Sequence, residues 1–148
     1  MTATHHLGEI LLVDDDSLDA VIVRRTLRDL AVTNRLVHVT DGYQALARLK
    51  GQDSEMPCVI LLDLNMPRMT GIEFLETVKA DEALKGISVV VVTTSEEQQD
   101  MTRSFELGAA AYVVKSSDYG EFRRKMMMIV EPYLGPVQPP ASLEMAPS

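Results

Sequence analysis

Five short apolar runs alternate strictly with five amphipathic stretches, and that order predicts a doubly wound α/β domain with a parallel sheet. Two of the runs carry most of the argument. Residues 9–13 (Glu-Ile-Leu-Leu-Val) and 58–62 (Cys-Val-Ile-Leu-Leu) are too uniformly apolar for a sheet with one wet face, and read as strands buried on both sides. Each ends in carboxylates, Asp14-Asp15-Asp16 after the first and Asp63 after the second. Right-handed crossovers bring the C-terminal ends of parallel strands to one edge, where open α/β folds keep their sites.

Strands are expected over 9–13, 36–39, 59–63, 88–93 and 111–114, and helices near 18–30, 42–49, 71–80, 98–107 and 120–133. Asp16 or Ser17 suits the cap of the first helix. Its apolar residues Ala20, Val23, Leu27 and Leu30 recur at spacings of three and four, with Arg24, Arg25 and Arg28 between them. A short apolar run and a short helical stretch follow at 36–39 and 42–49, before the most buried-looking strand, 59–63. Beyond the helical stretch 71–80, the β-branched Val91 and Val92 precede Thr93-Thr94-Ser95, a polar strand exit. The next pair, Glu96-Glu97, suits the positive end of a new helix. After the run 111–114, Phe122, Met126, Ile129 and Tyr133 form an apolar stripe on the last helix. Gly135-Pro136-Val137-Gln138-Pro139-Pro140 cannot continue that helix. The expected organisation is an N-terminal extension (1–8), one domain (9–134) and a flexible Pro-rich tail (135–148).

With 46% apolar and 24% charged residues, the composition is that of an ordinary globular domain with a real core. A net charge of -8 argues against nonspecific binding to nucleic acid or anionic lipid, which need a basic surface. No apolar run is long enough to span a bilayer, and residues 1–8 lack the features of a secretory signal, so the expected location is the cytoplasm. The single cysteine, Cys58, excludes an intrachain disulfide and is expected to be a buried small side chain. His5 and His6 read as a terminal pair and His38 as a strand or surface residue, rather than as ligands or a phosphohistidine relay.

The carboxylates gathered at the strand ends repel one another and call for a cation. Magnesium takes six oxygens and keeps some of its water. Asp15, Asp63 and a backbone carbonyl near Asn65 would make a reasonable shell with waters and a phosphoryl oxygen, and Asp14 would hold a water ligand or tune the site. In such a site Asp63 could attack a phosphoryl group in line. Two further strand ends fit: Thr93 could donate its hydroxyl to a phosphoryl oxygen, and Lys115 could reach the same group as a compact cation.

Ile10-Leu-Leu-Val-Asp-Asp15, Asp63-Leu-Asn-Met-Pro67 with Gly71, Thr93, and Tyr112-Val-Val-Lys115 together resemble the receiver domain of two-component response regulators. Asp41-Gly42 with Ala45-Leu46 is similar to the family's turn into its second helix. The resemblance runs from about Glu9 to Tyr133. It implies a flavodoxin-like five-stranded sheet of order 2-1-3-4-5. It also implies that Asp63 takes a phosphoryl group from a phosphohistidine on a sensor kinase or phosphotransfer protein, with slow Mg2+-dependent autodephosphorylation. Asp14 and Asp15 resemble the family's acidic pair, with Asp15 the direct ligand, and Asn65 the residue whose carbonyl ligates the ion. Thr93 and Lys115 resemble the switch hydroxyl and the phosphoryl-binding lysine, and Tyr112 the aromatic that swings inward as Thr93 moves. Arg24, Arg25 and Arg28 lie on the helix where kinases dock in this family.

One position departs from the pattern: Ser116 stands where proline commonly follows the lysine, so the loop that aims Lys115 must be shaped differently. Lys115-Ser-Ser-Asp-Tyr119, Thr93-Thr94-Ser95 and the longer segment Gly51-Gln-Asp-Ser-Glu-Met-Pro57 are similar to small free-standing regulators paired with bacterial phytochrome kinases.

No output module is expected after residue 133, so phosphorylation would speak through a surface of the domain, by partner docking or by homodimer formation through the last helices and strand. Of Met126-Met-Met128, successive helix positions cannot all face inward, so one or two are expected at the surface. Two competing readings differ in class. An aspartate-nucleophile phosphatase expects a second acid where Asn65 stands, and a scaffold without phosphorylation sits poorly with the complete Asp, Thr and Lys set.

Overall fold

A computed structural model describes residues 8–51 and 56–134 of the chain. The strands are β1 (Ile10–Val13), β2 (Leu36–Val39), β3 (Val59–Leu62), β4 (Val89–Thr93) and β5 (Ala111–Val114). Between and after them run α1 (Ser17–Asp29), α2 (Gly42–Leu49), α3 (Gly71–Ala80), α4 (Gln98–Glu106) and α5 (Tyr119–Leu134). All strand pairs are parallel and the order is β2-β1-β3-β4-β5, the flavodoxin-like arrangement expected. The expected extension and tail, and residues 52–55 of the long segment before β3, lie outside the described residues.

Successive strand residues point to opposite faces, and the apolar runs therefore build two cores. Leu11, Val13, Ile60, Leu62, Val89 and Val91 pack with α2 and α3 through Ala45, Leu49, Phe74, Leu75 and Val78. On the opposite face, Ile10, Leu12, Val59, Leu61, Val90 and Val92 pack with α1 and α5 through Ala20, Val23, Leu27, Phe122 and Met126. The stripe expected on α5 shifts slightly. Val130 is buried, while Ile129 and Tyr133 pack at the margin of the same core. Met126 is fully buried and Met127 and Met128 are exposed. Cys58 is only half-buried, its thiol lying 3.2 Å from the Gly8 carbonyl oxygen at the sheet's N-terminal edge.

Helix starts follow local chemistry. Asp16 caps α1 by accepting from the amides of Leu18 and Asp19. Thr70 and Glu73 form a reciprocal capping box at α3. Glu97 precedes α4 without a side-chain cap, its contribution being charge near the helix N-terminus.

Candidate functional site

The strand order places a topological switch point between β1 and β3, and register does the rest. Val13 lies opposite Leu62, so the next residues, Asp14 and Asp63, leave the sheet side by side. The Asp14 amide donates to the Val39 carbonyl at 3.1 Å, and the Asp63 amide to the Val13 carbonyl at 3.0 Å. Asp14 and Asp63 are buried (1% and 5% exposed), whereas Asp15 faces solvent. Carboxylate oxygens of the three lie within 4.8 Å of one another. An all-oxygen, strongly negative donor set with one open side suits a hard divalent cation such as Mg2+ that retains water.

The positive counterweight arrives from β5. Thr93 pairs with Val114, and the Lys115 amide donates to the Thr93 carbonyl at 2.7 Å, which starts the lysine side chain at the same sheet edge. Its ammonium lies 2.7 Å from Asp19, 2.9 Å from Asp14 and 3.4 Å from Asp63. Burial opposes the charge on Lys115. The hydrogen bonds to Asp19 and Asp14 and the field of Asp63 and Asp14 outweigh it, holding the ammonium well above the ordinary lysine value. For Asp14 burial wins: its carboxyl sits above the usual carboxylate value despite the Asp16 amide and Lys115 drawing it down.

Asn65 connects the β3–α3 loop to the end of β4. Its amide donates to Asp63 Oδ1 at 3.2 Å, and its side-chain NH2 lies 3.4 Å from Thr93 Oγ1 and 3.2 Å from Thr94 Oγ1. Thr93 is fully buried. Tyr112 reaches from β5 to the loop after β4, donating its hydroxyl to the Ser95 carbonyl at 3.0 Å, with the Phe105 ring 6.5 Å away. Burial raises the Tyr112 phenol above its ordinary value, against the Ser95 bond that lowers it. The Ser95 hydroxyl in turn donates to Asp100 of α4 at 2.6 Å.

The loops around the cluster are held by residues of several kinds. Gly71 passes directly over the Asp63 backbone, since a Cβ there would meet the Asp63 carbonyl oxygen and stand 2.5 Å from Leu64 Cα. Arg68, left-handed at φ 67°, pairs with the buried Asp41, which also caps α2. His38 Nε2 lies 2.7 Å from the Asp14 carbonyl oxygen, a strand residue supporting the acidic turn. After Lys115 the loop is organised by Ser116, whose hydroxyl donates to Glu121 at 2.5 Å and accepts from the Asp118 amide at 3.0 Å. This hydrogen-bonded turn stands where the family pattern has proline, and Lys115 still reaches the carboxylates.

Asp14, Asp15, Asp63, Asn65, Thr93 and Lys115 are thus gathered at one edge, with Tyr112 linked to the loop after Thr93. Arg24, Arg25 and Arg28 are exposed on α1 outside the cluster. Arg25 stacks over the Tyr119 ring at 4.4 Å and borders an open cleft of about 420 Å³ shared with Asp19, Lys115, Ser116 and Phe122. Asp19 and Arg68 carry no signal in the sequence, because an acid in a helix's first turn and a loop arginine resemble ordinary solvated residues.

Residues 10–126 match the response regulator receiver domain. The chain is 36% identical over 137 residues to response regulator Rcp1 of Synechocystis sp., covering 90% of this chain and 93% of that protein. The crystal structure of the Mn2+-bound form of Rcp1 superposes with a TM-score of 0.79 at 35% identity, over 90% of this chain and 99% of that one. The phosphorylated cyanobacterial phytochrome response regulator RcpA gives a TM-score of 0.78 at 34% identity, over 86% and 94% of the two chains. Sheet order, acidic edge and sequence match agree that this chain belongs to the response regulator receiver family, whose members signal by accepting a phosphoryl group on an aspartate.

Proposed function

We propose that this protein is a Mg2+-dependent phosphoacceptor that takes a phosphoryl group from a phosphohistidine onto Asp63. The observation that carries this reading is the buried Asp63 carboxylate, clustered with Asp14 and Asp15 and 3.4 Å from the Lys115 ammonium. Asp14, Asp15 and Asp63, with the Asn65 carbonyl, would hold the ion, which when bound neutralises the developing charge on the phosphoryl oxygens. An Asp63 oxygen forms the new P–O bond as the P–N bond to the donor imidazole breaks, and the imidazole leaves with its electron pair and takes up a proton. Lys115 stabilises the equatorial oxygens, and Thr93 donates its hydroxyl to one of them. Water later cleaves the acyl phosphate, returning free Asp63 and inorganic phosphate.

The signal leaves through β4, α4 and β5. Movement of Thr93 toward the phosphoryl group disturbs the Asn65–Thr93 contact and the Ser95 carbonyl to which Tyr112 is bonded, biasing the packing of α4. The output is docking of a partner or a second copy on the α4-β5-α5 face, where Phe105, Met127 and Met128 are exposed. Arg25 borders the cleft beside Asp63, and with the exposed Arg24 and Arg28 on the same helix it serves as the kinase-facing surface. The likeness to Rcp1 and RcpA supports a phytochrome-type sensor kinase as donor.

Phosphotransfer from purified candidate histidine kinases, with Asp63→Asn as control, tests chemistry and partner together. Label should pass to the wild type and not to the variant. Transfer to D63N, or rapid turnover of small phosphate esters, would overturn the reading.

A further inference from the structure

The Lys115 ammonium divides one positive charge among three carboxylates, and the three are not equivalent. Asp14 and Asp63 belong to the cluster that could hold a cation, whereas Asp19 does not. Asp19 nevertheless makes the shortest contact, 2.7 Å against 2.9 Å and 3.4 Å. Its position is set by the helix start, because the amides of Leu18 and Asp19 both donate to the Asp16 cap, at 2.9 Å and 3.1 Å. The lysine side chain is largely enclosed, at 11% exposure, so its ammonium is held by these carboxylates.

We propose that Asp19 is a positioning residue that holds the Lys115 ammonium aside when a divalent cation takes Asp14 and Asp63. A lysine and a dication competing for the same two carboxylates repel each other strongly in a partly buried site. A third carboxylate outside the cluster gives the ammonium a partner to keep. Lys115 then stays at hand for a phosphoryl group instead of blocking the ion. The proposal rests on the Mg2+-binding reading of the acidic cluster.

A double-mutant cycle on the full chain tests it, with Mg2+ affinity measured by NMR titration of the backbone amides around Asp63. Asp19→Asn is expected to weaken Mg2+ binding roughly three- to tenfold when Lys115 is present, and less than twofold in a Lys115→Met background. Lys115→Gln provides a second background should the methionine variant fail to fold. Equal affinity of D19N and wild type, or the same loss in both backgrounds, would overturn the role of Asp19, the latter marking a through-space charge effect independent of the lysine. Wild-type protein that binds no Mg2+ at millimolar concentration would instead remove the metal reading itself, and the proposal with it.

Discussion

The Lys115 ammonium stands closer to Asp19 of α1, at 2.7 Å, than to Asp63, the proposed acceptor, at 3.4 Å. The lysine proposed to meet the phosphoryl group is therefore occupied with acids beforehand. Removing it should relieve competition for Asp14 and Asp63. Lys115→Met is expected to bind Mg2+ roughly three- to tenfold more tightly, while losing most of the beryllofluoride-induced shift at Thr93 and Tyr112, both read by NMR titration.

Asp14 gives a pH dependence with a defined sign. Its folded-state pKa is raised above the ordinary 3.8, chiefly by burial. Between those two values the folded chain holds more protons than the unfolded one, so stability contributed by this group is present below 3.8 and lost as pH rises through the folded value. Metal-free Asp14→Asn should accordingly be more stable than wild type at neutral pH, with the advantage shrinking toward acid. Urea denaturation at several pH values measures it, and added Mg2+ should favour the wild type.

Gly71→Ala tests the close passage of α3 over Asp63. Its Cβ would strike the Asp63 carbonyl oxygen and Leu64 Cα, backbone atoms that cannot swing away as a flexible side chain could. A loss of about 3 kcal/mol in urea unfolding is expected, together with weaker Mg2+ binding because Asp63 is displaced.

Tyr112→Phe removes the hydroxyl that donates to Ser95. It should cost about 1 kcal/mol in stability. The more specific outcome is uncoupling: beryllofluoride should still shift Thr93 but move α4 amides less than in wild type.

Arg25→Glu addresses the proposed kinase-facing surface. Phosphotransfer from the cognate kinase should slow by about tenfold, mainly through association. Phosphorylation by acetyl phosphate should be unchanged, since Arg25 lies outside the acidic cluster.

Much of this architecture is legible locally. Ile10–Val13 and Val59–Leu62 are apolar on both faces because both faces are covered, and an unbroken apolar run records that without knowledge of what covers it. The α1 stripe Ala20, Val23, Leu27 is equally readable, being a helical period. Finer choices are not. Val130 is buried in place of a fully buried Ile129 because the approach angle of α5 to the sheet decides which neighbouring position faces in. Nor is the Asp41–Arg68 pair readable, since it depends on a left-handed loop residue and on the packing of α2 beside that loop.

By itself, the sequence determined the alternation of elements, the acids at two strand ends, and the threonine and lysine at two more. These features follow from short-range periodicity and from residues adjacent in the chain. Only the tertiary structure decided how the charges are shared. Lys115 meets Asp14 and Asp19 across 101 and 96 residues because the parallel sheet stacks all its strand ends at one edge, with α1 crossing beside them. A side chain's partners in a charge cluster are set by that convergence in space, which the spacing of residues along the chain does not encode.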